Sequence, residues 1–131
     1  MPPKEEMYTF NPAAGFNSPN HNQKEKDFYE GKQDAGKVRF DLLDPSFEFA
    51  LASVMLFGLR DHKENSWQAV PNPINRYYAA LRRHANAVRK GEIIDPDSGL
   101  QHMAHVAINA MFLFHFYEEQ MKESKTNEKN E

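Results

Sequence analysis

Apolar positions recur at helical spacing in three stretches of this chain, and nowhere with the alternation of a strand bounded by hairpin turns. The first stretch starts at Asp44-Pro45, where aspartate suits an N-cap and proline the first helical position. It runs through Phe47, Leu51, Val54, Met55 and Phe57, and Gly58 is a natural stop. This segment is apolar nearly all round, which predicts a buried helix; Glu48 is its only ionisable side chain. A second helix is expected over residues 75–90. Tyr77, Leu81, His84 and Val88 form one stripe along it, and Arg76, Ala80, Arg83 and Ala87 form another of small and basic residues. Lys90-Gly91 closes it with a cation and a glycine. The third helix begins at a capping box, Ser98-Gly99-Leu100-Gln101, and continues to about Met121, roughly 35 Å at 1.5 Å per residue. Residues 59–74 read as a loop. Three helices with broad apolar faces make a small, incomplete all-α bundle, which oligomerisation would complete.

The flanks have a different texture. Residues 1–36 are rich in Pro, Asn, Gly and charge and read as an irregular arm, with Tyr8, Phe10, Phe16, Phe28 and Tyr29 scattered through it. Those aromatics dock the arm in one reading and are plainly disordered in the other. Residues 37–121 form the helical domain, and 122–131 a charged, flexible tail. The net charge of −3 is unevenly placed. Residues 1–36 hold six acids and four bases, 118–131 five acids and three bases, and 37–117 eight acids and nine bases. The folded part therefore lacks the strong basic patch of a nucleic-acid binder, and no stable nucleic-acid binding is expected. Its balance suits a small anion held by a few placed cations. With no cysteine, disulfides and thiolate chemistry are excluded. No signal-peptide pattern or apolar run of membrane-spanning length is visible, so the expectation is a cytoplasmic protein without membrane contact.

Candidate chemistry gathers in residues 91–105. His102, His105 and Asn109 fall at i, i+3 and i+7 and share one helix face. Two histidines so placed can converge on one metal or one phosphate; the plainer reading is a pair of neutral, hydrogen-bonded core histidines. Glu92 and Asp95 lie in a turn set by Pro96, where carboxylates suit Mg²⁺ or Mn²⁺. Asp97 and Ser98 sit where helix caps belong. Glu48 either complements the helix dipole or ligates a metal. Lys37, Arg39, Arg76, Arg82 and Arg83 offer phosphate partners, while Arg89 and Lys90 read as solvated charge. Asn65 and Trp67 supply a polar contact and a stacking face, although core packing is the commoner fate of a lone tryptophan. There is no Walker loop, dinucleotide fingerprint, nucleophile elbow or His-Glu-x-x-His motif.

Several blocks in order carry a family resemblance. They are residues 34–45 (DAGKVRFDLLDP), Phe57-Gly58, Lys63 and Asn65 near Trp67, Leu81-Arg82-Arg83-His84, residues 91–105 (GEIIDPDSGLQHMAH), and Asn109-Ala110. With these, residues 32–117 resemble the phage dATP/dGTP diphosphohydrolase family, relatives of the all-α, MazG-like nucleotide pyrophosphohydrolases. The resemblance implies an all-α, Mg²⁺- or Mn²⁺-dependent homo-oligomer, a dimer or higher, in the host cytoplasm. It implies hydrolysis of a purine deoxynucleoside triphosphate to the monophosphate and pyrophosphate. MazG-like enzymes show Glu-x-x-Glu on one helix and Glu-x-x-Asp on a later one. Here Leu51 follows Glu48 by three, and His102-x-x-His105 stands in the later position. In this reading Glu48, Glu92, Asp95, His102 and His105 hold the metal, and Glu92, Asp95 and His102 carry catalysis. Lys37, Arg39, Lys63 and Arg83 neutralise phosphate, Asn65 and Trp67 meet the base or sugar, and His84 and Asn109 complete the substrate pocket. The alternative is a non-catalytic protein that sequesters a nucleotide or nucleotide-derived signal in the same pocket.

Overall fold

Asp44 opens the first helix as its chemistry requires. Its Oδ1 accepts the Ser46 N–H at 2.9 Å, its carbonyl accepts Phe47 N–H, and Pro45 takes the first helical position. The helix, α1 (Pro45–Gly58), is one of three among the described residues of this computed structural model, which are 35–130 together with the strand residues 10–11 and 15–16. Gly58 lies inside the last turn instead of beyond it, because Leu59 continues right-handed and donates to Leu56 O, and Arg60 N–H then donates to Phe57 O. Asp44→Ala is expected to cost about 1 kcal/mol, read as a lower midpoint in urea.

The second helix, α2 (Pro73–Arg89), begins two residues earlier than the stripe suggests, since Pro73 is pre-set for the first turn. Its end follows the sequence closely. Gly91 adopts φ 101°, its N–H reaches Val88 O at 2.9 Å, and Glu92 N–H reaches Ala87 O at 3.0 Å. That is a Schellman closure, and its left-handed residue favours glycine.

The third helix, α3 (His102–Asn130), starts later than the capping box implies. Ile94 and Gln101 form an antiparallel bridge, with Asp95 N–H donating to Leu100 O at 2.8 Å and His102 N–H to Ile93 O at 2.9 Å. The bridge commits Gln101 to pairing across the loop and delays the helix to His102, so Ser98 does not cap it through Gln101. At the other end helical backbone continues past Met121 to Asn130.

Contacts divide the chain between Leu42 and Leu43. In the first unit, Phe10–Asn11 and Gly15–Phe16 pair antiparallel with Phe10 opposite Phe16. A 3-10 turn follows at Phe40–Leu42, and the Arg39 guanidinium donates to both Asp41 carboxylate oxygens at 3.2 and 2.7 Å. That contact holds the Asp41 carboxyl below its ordinary value. Lys37 is exposed in the same unit. Of the arm expected over 1–36, only the strand residues and Ala35-Gly36 are described; the rest, with Tyr8, Phe28, Tyr29 and Asp34, lies outside the described residues, as does Glu131.

The second unit is the expected all-α small bundle. Within it α3 packs along α2 and, less extensively, along α1. Val54, Ala104 and Ile108 make the buried core, flanked by Ala50, Leu51, Met55, Leu100 and Phe112. Trp67, Tyr77, Phe112 and Phe116 extend it as an aromatic cluster, and the Tyr77 hydroxyl donates to Trp67 O at 2.6 Å. The apolar pattern of α1 predicts burial all round. In the single chain Val54 is its one buried residue, and Phe49 and Leu56 are 75% and 70% exposed. Packing along one face of α1 leaves its other faces open to water.

Candidate functional site

Three polar side chains, His102, His105 and Asn109, are buried on one face of α3, as many as the core cluster has buried apolar ones. Burying polar groups is costly unless each is partnered. Among the described residues no buried side-chain N or O lacks a hydrogen bond. Asn109 closes onto its own helix, Nδ2–H to His105 O at 2.8 Å. The two histidines look outward from the helix to α2 and to the 91–101 loop.

His102 Nε2 lies 2.7 Å from Glu92 Oε1, and its Nδ1 lies 2.8 Å from Nδ1 of His84 on α2. A carboxylate only accepts, so Nε2–H donates to Glu92. With His102 neutral, its Nδ1 then accepts from His84 Nδ1–H, which leaves His84 Nε2 as a bare lone pair. His105 stacks on His84, ring centroids 4.5 Å apart and planes within 10°. Its Nε2 lies 2.7 Å from Ser98 Oγ and 3.3 Å from Asp95 Oδ2. The Ser98 hydroxyl donates to Asp95 Oδ2 at 2.9 Å and accepts Leu100 N–H at 3.2 Å. Its remaining lone pair takes the His105 Nε2–H, so every site on this hydroxyl is used. Asp97 N–H donates to Asp95 Oδ1 at 3.2 Å.

These contacts set the electrostatics. Burial first, then the neighbouring His105 and His102 charges, push His84 below the ordinary imidazole value. Burial also pushes His105 down, against the pull of Asp95. Burial alone would raise the Asp95 carboxyl; the Ser98 hydroxyl, the Asp97 N–H and His105 outweigh it and hold it below its usual value. The sign for folding follows. In metal-free protein the unfolded histidines, at 6.5, take up protons before the folded ones do. Stability is therefore complete above that value and is lost as pH falls from 6.5 toward the depressed folded values. Chelator-treated protein is expected to melt at a lower temperature near pH 5.5 than near pH 7.5; equal melting points would contradict the buried-imidazole account.

One ring nitrogen of His84, one of His105 and an Asp95 oxygen lie within 4.8 Å of one another. Two imidazoles and a carboxylate are a suitable donor set for a divalent ion. Glu92 and His102 fall outside this group and are paired to each other, while Glu48 is exposed on the first turn of α1. His84, read from sequence as a substrate contact in an apolar stripe, is instead a member. Sequence reading also passed over Ser98 as a bridge and Asn86 and Lys90 as cleft residues. A histidine between Leu81 and Val88 on an otherwise apolar stripe was the available signal.

Beside this cluster an open cleft of about 350 Å³ is lined by Arg83, Asn86, Ala87, Lys90 and Glu92. Glu92 is common to the cleft and the histidine network. Lys63 and Asn65 are exposed, and Asn65 holds the left-handed φ 61° before the 3-10 turn Ser66–Ala69. Trp67 in that turn stacks on Phe112 at 4.6 Å and meets His115 and Phe116 edge-on. Packing thus takes one of its faces. Among the described residues no helix is long and apolar enough to cross a membrane.

Residues 28–126 match the family described as dATP/dGTP diphosphohydrolase, N-terminal. The chain is 35% identical over 83 residues to a dATP/dGTP diphosphohydrolase of Salmonella phage PMBT28. That match covers 63% of this chain and 28% of the phage protein, so the chain spans under a third of the relative's length. No solved structure gives a significant match.

Proposed function

Since the chain belongs to the dATP/dGTP diphosphohydrolase N-terminal family, we propose that it hydrolyses purine deoxynucleoside triphosphates, dATP or dGTP, to the monophosphate and pyrophosphate with a divalent ion. The observation that carries this reading is the His84–Asp95–His105 group next to a cleft holding two cations. A triphosphate needs both: positive charge for its oxygens and a Lewis acid for the charge that develops on transfer.

Asp95 and His105, with His84, are the residues suited to hold the ion, which would supply that Lewis-acid stabilisation. The chain's own groups do the rest. Arg83 and Lys90 bind phosphate oxygens from one wall of the cleft, Arg83 with its two-pronged fork and Lys90 as a point charge. Asn86 offers an amide donor between them. Glu92 accepts the His102 Nε2–H and so fixes the orientation of both linked imidazoles. His84 Nε2 is a lone pair on a ring that burial keeps neutral, suited to binding the ion. Lys63 adds a cation, and Asn65 and Trp67 contact the base or sugar. Asn109 holds the α3 backbone under His105. The exposed Phe49, Leu56 and Phe114 side chains support a second copy of the chain covering these faces.

Purified chain with dATP or dGTP and Mg²⁺, Mn²⁺, Co²⁺ or Zn²⁺ is expected to release pyrophosphate and the matching monophosphate. No pyrophosphate from any purine triphosphate with any of the four ions would overturn the reading. One feature favours sequestration as a second reading: the metal-suited group contains a single carboxylate. Recovery of intact nucleotide from denatured complex would select it.

A further inference from the structure

We infer that His84, Asp95 and His105 are a ligand set for a borderline transition ion of the Zn²⁺ or Co²⁺ kind in preference to Mg²⁺, and that His102 and Glu92 position His84 for it. The inference rests on the divalent-ion reading above and names the ion class. Mg²⁺ demands near-octahedral oxygen ligation and gives up its waters reluctantly. Imidazole nitrogen suits zinc and its neighbours, whose affinity for such sites exceeds that of the earlier divalent metals. Two of the three donors here are imidazoles, and the sole carboxylate is Asp95.

The surroundings resemble a supported metal site more than a chance cluster. Ligating histidines usually donate their other ring N–H to an orienting partner. His84 does so through Nδ1–H to His102, which in turn donates to Glu92, a relay of 2.8 and 2.7 Å. Asp95 is held on both oxygens, by Ser98 on Oδ2 and by the Asp97 N–H on Oδ1. Its loop is itself pinned, Asp95 N–H to Leu100 O and Gly99 N–H to Asp95 O, both at 2.8 Å. His84 and His105 stand on α2 and α3, the two helices with the most extensive packing. The donors thus come from two helices and a pinned loop, with their outer partners already in place.

The test uses the whole chain, stripped by chelator and without nucleotide. Titration with Co²⁺ is expected to give visible d–d absorption that saturates at one ion per chain. Zn²⁺ should bleach it, and a large excess of Mg²⁺ should not. Proton NMR of the cobalt form should show paramagnetically shifted imidazole resonances from two histidines. Folded His84→Gln should lose the absorption. Glu92→Gln should weaken Co²⁺ binding by about 10- to 100-fold and shift the cobalt spectrum, with unchanged far-UV circular dichroism. Displacement by equimolar Mg²⁺, shifted signals from no histidine, or undiminished binding by folded His84→Gln would each overturn the inference. So would an unchanged cobalt spectrum in Glu92→Gln, for the positioning pair. If His84→Gln does not fold, the wild-type NMR signals still decide. A chain that binds Co²⁺ but hydrolyses nothing would sink the functional reading alone. Hydrolysis with Mg²⁺ and no Co²⁺ binding would sink this inference alone.

Discussion

Asp95→Asn is expected to reduce pyrophosphate release from dATP and dGTP by about 100-fold or more in kcat/KM, a loss of roughly 2.7 kcal/mol of transition-state stabilisation. Asp95 stands at the crossing of two networks. It offers the carboxylate of the metal-suited group, and it accepts the Ser98 hydroxyl and the Asp97 N–H. Asparagine keeps the size and one acceptor oxygen but removes the negative charge and places an NH₂ where an oxygen accepted. Metal affinity and reaction rate should fall together while the helices persist. The measurement is kcat/KM across a series of ion concentrations, with circular dichroism on the same sample. An Asp95→Asn protein hydrolysing at the wild-type rate would remove the group from the chemistry.

Ile108→Ala is expected to lower stability by about 2–5 kcal/mol, read in urea or by thermal melting. Ile108 is 3% exposed and lies among Val54, Ala104 and their flanking side chains. So small a core has little with which to collapse around a cavity, which favours the upper part of that range. The substitution faces the core and not the histidine cluster, so whatever protein remains folded should bind metal normally. A loss under about 1 kcal/mol would mean that stability comes mainly from contacts between copies.

Local structure was legible wherever a few adjacent residues determine it. Asp44-Pro45 opens α1, and the Gly91 closure ends α2, because capping depends on backbone groups within one turn. The start of α3 was not legible. Ser98 and Gln101 have the spacing of a capping box, but Gln101 bridges to Ile94 and the Ser98 hydroxyl is committed to Asp95, His105 and Leu100. A cross-loop pairing outweighs a local signature when it satisfies more groups. The burial predicted for α1 fails in the single chain for a related reason. Periodicity reports which faces are apolar, not whether anything covers them.

The sequence alone determined the all-α architecture and the shared face of His102, His105 and Asn109, since i, i+3, i+7 spacing follows from helix geometry. It also brought Glu92 and Asp95 near that face by placing them in a short loop. Only the tertiary structure decided that His84 joins them. Its ring meets His102 at 2.8 Å from 18 residues away, across the α2–α3 contact. Eighteen residues and a turn separate the two, so no local pattern encodes that distance; it depends on how two helices pack. The same packing sorts the candidates into a metal-suited trio, His84, Asp95 and His105, and a supporting pair, His102 and Glu92.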